Sequence, residues 1–267
     1  MMRSLWTSGT GMKSQQVNMD VISNNIANVN TVGFKKYRTD FQDLMYQNMR
    51  AAGTETGADN NQVPTGIDIG HGVKVSSTTR THLQGSFQAT GNPYDMTIAD
   101  NDLCDSFFQI NMPDGTLAYT RDGTFKRDSE GRIVTADGYA LEPEIIVPDD
   151  ATNLTISQDG QVWVNIPGQL APENIGQIEL ARFVNPAGLT TIGQNLYTES
   201  EASGAPVVGI PGEDGTGEIV HKYIEMSNVQ LVEEMVNMIV CQRAYEINSK
   251  GIITSDEMLQ TAITLKR

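Results

Sequence analysis

Few residues in this chain are of the kind that performs chemistry, and their spacing discourages it. The three histidines, His71, His82 and His221, stand far apart, and no His-x-x-x-His or Cys-x-x-Cys pair occurs. Zinc sites draw on close-spaced pairs of such ligands, so no metal site is expected. Cys104 and Cys241 are read as two free thiols, since a disulfide framework needs more cysteines. There is no Gly-x-Ser-x-Gly elbow and no phosphate-binding loop, and the glycines of 66–72 lack a strand–turn–helix setting. Asp100-Asn101-Asp102-Leu103-Cys104-Asp105 begins like a calcium loop. It then places Cys104 at the fifth position, Asp105 where the sixth must be glycine, and Asn111 where the twelfth should be glutamate. A solvated acidic loop is the expectation. Other carboxylates sit mostly in turns, where Asp is favoured by turn geometry. Their spacing selects no pair of the kind that glycoside hydrolysis uses. No catalytic residue and no cofactor is therefore expected. An enzyme acting through the acidic middle stays as the competing class.

Hydrogen bonding is the chemistry with the stronger signal. Asn24, Asn25, Asn28 and Asn30 fall within seven positions, where the preceding residues predict an amphipathic helix. Asparagine is a weak helix former because its side chain competes with the backbone for hydrogen bonds. Such a run argues for a polar contact surface or for a helix that must end. Charge points to the same regions. The 267-residue chain carries a net charge of −15, which disfavours nonspecific nucleic-acid binding. Residues 51–220 hold seven Lys/Arg against 24 Asp/Glu, whereas the two ends are near neutral, as contact elements would be.

The elements that position these residues follow from proline placement and periodicity. All ten prolines lie between Pro64 and Pro211. Proline is at home in turns and hard to place inside helices, so helical ends enclose a β-rich middle. At the N-terminus Leu5, Met12, Met19, Ile22, Ile26 and Val29 form an apolar stripe, with Gly33 as the expected terminator. At the C-terminus Leu231, Met235, Met238, Gln242, Tyr245, Ser249, Ile252, Leu259 and Ile263 share a seam, widened by Val232, Val236 and Ile239. Ser227-Asn228 can cap that run. A helix of about 38 residues spans roughly 57 Å, long for a compact domain, which suggests a coiled coil or packing against other copies. Its methionines, Met226, Met235, Met238 and Met258, suit either an ordinary core or an adaptable packing surface. In the middle, Asp114-Gly115, Asp122-Gly123, Glu130-Gly131, Asp137-Gly138 and Asp159-Gly160 alternate with short strand-like runs, predicting an antiparallel meander. Residues 51–66 read as an excursion and 203–217 as the return.

The predicted fold is α+β, with terminal helices forming a coiled-coil layer around a β-rich middle. Its parts are an N-terminal helix over 1–35, an extended connector over 36–75, an acidic β domain over 76–220 and a long helix over 221–267. The N-terminus lacks the apolar stretch of a cleavable signal peptide. No window approaches the roughly 18 apolar residues of a membrane span.

Asn24-Asn25-Ile26-Ala27-Asn28-Val29-Asn30-Thr31-Val32-Gly33-Phe34-Lys35 closely resembles the N-terminal signature of bacterial flagellar rod and hook proteins. Gln42-Asp43-Leu44-Met45-Tyr46-Gln47 continues it. Ser227-Asn228-Val229, Glu233–Ile239, Gln242–Lys250 and Asp256–Gln260 resemble the C-terminal signature of that family. Ala118–Gly123, Ala181–Leu189 and Ser203–Pro206 match its middle, so the resemblance covers nearly the whole chain. Within the family the distal-rod members are nearest, with proximal rod and hook as alternatives. One departure lies after Asp95-Met96-Thr97-Ile98: the family's Gly-x-Gly-Phe-Phe turn is replaced by a longer Ala99–Ser106 stretch before Phe107-Phe108.

The resemblance implies a structural subunit, not an enzyme. Stacked copies would form a hollow helical tube that transmits torque from motor to hook and passes later subunits through its lumen. The implied partners are further copies of the chain, other rod proteins, the hook protein, the surrounding periplasmic and outer-membrane ring proteins and the flagellar export apparatus. Neither nucleic acid nor a membrane span is implied. The implied location is the basal body, crossing the periplasm, reached without a cleavable signal. The residues near Tyr46–Gly66 correspond to a region linked to rod stiffness. The expected assembly residues are Asn24, Asn25, Ile26, Asn28, Asn30, Gly33, Phe34, Met235, Met238, Gln242, Arg243, Tyr245, Asn248 and Leu259. At least two of the asparagines are expected to bond across helices or subunits, and the termini are expected to order on polymerising.

Overall fold

The apolar stripe near the N-terminus becomes helix α1, Met2–Ala27, and the C-terminal run becomes helix α2, Leu231–Thr264, unbroken at Gly251. The computed structural model describes residues 2–53, 64–100, 105–168, 171–213 and 215–265. The core of the expected excursion, Thr54–Val63, and Cys104 of the acidic loop lie outside the described residues. With two terminal helices and a strand-rich middle, the fold is α+β.

The chain divides into two units. The first gathers α1 as far as Ile26, residues Tyr37–Thr79 and the chain from Leu231 onward. Residues 36–75, read from sequence as an extended connector, contain paired strands. Tyr37–Asp43 pairs with Val73–Arg80, and Tyr46–Arg50 pairs antiparallel with Ile67–Gly70. The pairing was hidden because these strands are short and largely polar or exposed, so their alternation is faint.

The second unit comprises Ala27–Lys36 and Arg80–Gln230. Its central strand, Ser106–Asn111, is buried on both faces as far as Ile110, with Phe107, Phe108 and Ile110 supplying the apolar surface and Ser106 and Gln109 buried beside them. Along one edge it pairs with Leu117–Thr120; along the other it pairs first with Leu180–Arg182 and then with Ala140–Glu142. Because successive side chains point to opposite faces, Phe107 and Phe108 enter different cores. Phe108 packs edge-on to Phe125, in a core with Met96, Ile98, Ile133, Leu141, Val162 and Ile178. Phe107 joins Tyr119, Ala181, Phe183 and Tyr197 on the opposite side. A three-stranded sheet, Asn153–Ile156, Gln161–Asn165 and Glu173–Gln177, supplies Leu154, Ile156, Val162 and Val164 to the first core.

Four of the five expected Asp-Gly or Glu-Gly turns form, with Gly115, Gly131, Gly138 and Gly160 at positive φ. Asp122-Gly123 is the exception, so the meander breaks there. A Cβ on Gly123 would lie 1.5 Å from the Met96 carbonyl oxygen. That glycine permits a close backbone approach beside the Asp95–Thr124 bridge instead of a turn.

Candidate assembly surfaces

The two long helices contact each other in antiparallel register at seven-residue intervals. Ser4 Oγ lies 2.9 Å from Ser255 Oγ. A Cβ on Gly11 would lie 2.9 Å from the Asn248 side chain. The Cys241 thiol bonds the Asn18 side chain and donates to the Gln15 carbonyl at 3.1 Å. Asn25 Nδ2 donates to Glu234 Oε2 at 3.4 Å. Ser4, Gly11, Asn18 and Asn25 thus oppose Ser255, Asn248, Cys241 and Glu234. A further small pair, Ser8 and Gly251, sits between the first two levels. The facing residues are small or polar, which lets the backbones approach closely.

This corrects the sequence reading in one respect. The seven-residue period is as expected, and Ile22 of the expected stripe is buried, but Leu5, Met12, Met19 and Ile26 lie one position away from the contacting set and are half-buried. On α2 only Glu234, Cys241 and Ser255 are fully buried. Of the predicted seam, Leu231, Met235, Gln242 and Tyr245 are exposed, while Met238, Ser249, Ile252 and Leu259 are half-buried. The far side of α2 carries Val232, Val236, Ile239, Val240, Ile247 and Ile253, with Val232 74% and Ile247 68% exposed. Arg243, on the same helix, is exposed and pairs with Glu246 at 2.8 Å.

The four asparagines separate by role. Asn25 is 1% exposed. Its amide pairs with the Tyr37 backbone in both directions, donating to the carbonyl and accepting from the N–H, each at 2.9 Å. Asn24, on the exposed side of α1, and Asn28, in the turn after it, also have partners; Asn28 Oδ1 accepts from the Thr31 hydroxyl at 3.1 Å. Asn30 is exposed, and Ile26 is half-buried.

Gly33, Phe34 and Lys35 are buried, and none of them is a helix end. α1 stops at Ala27, and Gly33 lies in a later turn at φ +69, its N–H donating to the Glu225 carbonyl at 2.8 Å. Lys35 Nζ meets Glu225 Oε1 at 2.6 Å, with both side chains 1% exposed. Arg121 reaches Asp100, lies 3.6 Å from both Asp105 and Glu225, and stacks over Phe107. Burial pushes the Lys35 ammonium down from its ordinary pKa, aided by Arg121 and opposed by Glu225. Burial likewise raises the carboxyls of Asp100 and Asp105, against the pull of Arg121. Beside them His82 packs edge-on to Phe107; burial, then Arg121 and Lys35, hold it down to about 3, so it is neutral.

Sequence reasoning missed both sets. The small-residue heptad was legible as spacing, but serine and glycine carry no apolar signal. Lys35, Arg121 and Glu225 are far apart in sequence, and only the fold converges them. The expected capping by Ser227-Asn228 also fails. Asn228 instead accepts from Lys36 N and donates to the Thr81 and Leu83 carbonyls, while Ser227 accepts from Val229 N. Among the described residues no cluster of potential metal ligands occurs, and no helix is long and apolar enough to cross a membrane.

Comparison with known proteins matches three family models. They are Flagella basal body rod protein over residues 5–35, Flagellar hook protein FlgE/F/G D1 domain over 104–164, and Flagellar basal body rod FlgEFG protein C-terminal over 220–265. The flagellar basal-body rod protein FlgG of Borreliella burgdorferi is 50% identical, covering 100% of each chain. That of Buchnera aphidicola from Acyrthosiphon pisum is 49% identical over 97% of this chain and 98% of its own. That of Bacillus subtilis is 42% identical over 100% of each. With such identity sustained end to end, the chain belongs to the FlgG family of flagellar basal-body rod proteins, a structural family.

Proposed function

We propose that this chain is a structural subunit of the flagellar distal rod, polymerising into a hollow helical drive shaft. The shaft transmits torque from motor to hook and passes exported subunits through its lumen. One observation carries the reading: the far side of α2 exposes six aliphatic side chains, Val232, Val236, Ile239, Val240, Ile247 and Ile253, interspersed with charged residues such as Arg243 and Glu246. Soluble monomers seldom leave such a patch uncovered. Covering a half-exposed aliphatic side chain is worth about 1 kcal/mol, so this face offers roughly 6–8 kcal/mol per neighbour. Association costs about 4–15 kcal/mol, so one such contact is marginal and several neighbours in a lattice are needed.

In the polymer the paired helices act as a coiled-coil inner layer with the acidic β unit outside. Met235, Met238, Gln242, Arg243, Tyr245 and Leu259 face neighbouring copies, as do Asn24 and Asn30. The termini gain their full order on assembly. The rod crosses the periplasm and meets other rod proteins, the hook protein, the ring proteins and the export apparatus. Residues 46–66 govern stiffness.

The test is assembly of the purified chain, followed by sedimentation and electron microscopy. Tubes are expected, and Val236→Asp with Ile239→Asp should abolish them while leaving the β unit's thermal transition in place. Tubes that persist in this double variant would sink the reading. Glycoside hydrolysis by the chain would favour the competing enzyme class.

A further inference from the structure

Three segments distant in sequence run side by side in the second unit: residues 31–36, 80–86 and 223–229. Thr81 N donates to the Lys36 carbonyl, and Met226 N donates to the Ser86 carbonyl, each at 2.9 Å. Gly33 N bonds the Glu225 carbonyl, and the Asn228 side chain brackets the other two segments. At the centre is the Glu225 carboxylate. Its Oε1 accepts from Lys35 Nζ at 2.6 Å and from Gly85 N at 2.7 Å. Its Oε2 lies 3.6 Å from Arg121 Nη1. Two cations, each 1% exposed, therefore share one carboxylate. Without Glu225, Lys35 would keep the Leu83 carbonyl, at 3.0 Å, and a weaker attraction to Asp105, and would face the Arg121 charge.

We propose that Glu225 is a clasp, making the docking of the chain that leaves α1 conditional on the chain that enters α2. An ammonium buried with one carbonyl acceptor, no carboxylate in hydrogen-bond reach and a like charge nearby costs more than its docking returns, so it stays in water. Segment 31–36 then remains off the β unit until residue 225, 190 positions beyond Lys35, is in place. The core of Phe108, Leu180 and their neighbours contains none of these charges and forms without the clasp. The first and last connections of the chain thus lock together, in one step, after the sheet has formed.

Hydrogen exchange on the full chain, read residue by residue, tests this. Glu225→Gln keeps the shape and an acceptor for Gly85 while removing the charge. The amides of Gly33, Lys36 and Thr81 should lose at least tenfold in protection, while those of Phe108 and Leu180 hold theirs. Lys35→Met combined with Glu225→Gln removes the stranded cation and should recover most of the loss. Protection within twofold of the parent in Glu225→Gln would overturn the proposal. If that variant unfolds altogether, the double variant decides: recovered protection supports the clasp, and continued loss overturns it.

Discussion

Gly33 was expected from sequence to terminate a helix and to touch other subunits, and the fold gives it a different task. It stands at φ +69, and a Cβ there would lie 2.8 Å from the Arg121 carbonyl carbon and 2.9 Å from Asp122 N. Both neighbours are backbone, so neither can swing aside. Gly33→Ala therefore carries two costs. A left-handed non-glycine residue costs about 1–2 kcal/mol, and forcing a methyl group into packed backbone costs a further 1–3 kcal/mol or so. The alanine's smaller unfolded-state entropy returns about 0.4–1 kcal/mol. The net expectation is roughly 2–4 kcal/mol. Gly91 is the matched control, with φ +72 and nothing within 4 Å of an added Cβ. Gly91→Ala bears only the conformational cost, about 0.5–1 kcal/mol net. For a unit of this size each kcal/mol moves the midpoint by about 2–4 °C. Gly33→Ala should lower Tm by roughly 4–16 °C and Gly91→Ala by about 1–4 °C. The assay is thermal unfolding followed by Trp163 fluorescence, in a Trp6→Phe background because the other tryptophan lies on α1. If Gly33→Ala shifts Tm no more than Gly91→Ala yet blocks assembly, the intramolecular account is wrong and the glycine serves the lattice.

Asn25→Leu should cost unit one about 2–4 kcal/mol, because it removes two hydrogen bonds to the Tyr37 backbone and one to buried Glu234; Asn30→Leu, at an exposed turn, should change stability by under about 0.5 kcal/mol. Exchange at the Tyr37 amide distinguishes the two. His82 binds its proton at about 6.5 when unfolded and only near pH 3 when folded. The unfolded state is thus the better proton binder between those values, so the His82 contribution is complete above pH 6.5 and is lost as pH falls toward 3. The stability of the parent relative to His82→Phe should decline by up to about 1.4 kcal/mol per pH unit in that window; a difference independent of pH would show that His82 is not buried neutral. Shortening Thr54–Val63 should alter rod stiffness without moving the Tm of the β unit, and a lowered Tm would make that segment part of the core.

Much of this protein was legible in its residues alone. Proline confinement between Pro64 and Pro211 marked the helical ends and the β middle, since proline is excluded from helix interiors whatever the tertiary context. Glycine at the tips of short alternating runs located four hairpins, because turn geometry is local. The terminal signatures led to the family, which the full-length relatives bear out. Periodicity also found both long helices, but not which face each buries. Hydrophobicity favoured the Leu5–Met12–Met19 and Leu231–Met235–Met238 stripes, whereas the two helices meet through the neighbouring small and polar heptads, Ser4–Gly11–Asn18–Asn25 and Glu234–Cys241–Asn248–Ser255, of which Gly11, Asn25, Glu234, Cys241 and Ser255 are buried. A single chain satisfies close approach and hydrogen bonds internally and leaves its apolar faces for another surface, and no single-sequence pattern encodes that division. Gly123 and Gly33 show the same limit: an Asp-Gly pair or a post-helical glycine reads as a turn signal until a carbonyl from elsewhere in the chain occupies the space of its missing side chain. The Lys35–Glu225–Arg121 cluster lay furthest from view, because charged residues separated by up to 190 positions read as solvated surface until the fold removes the water between them.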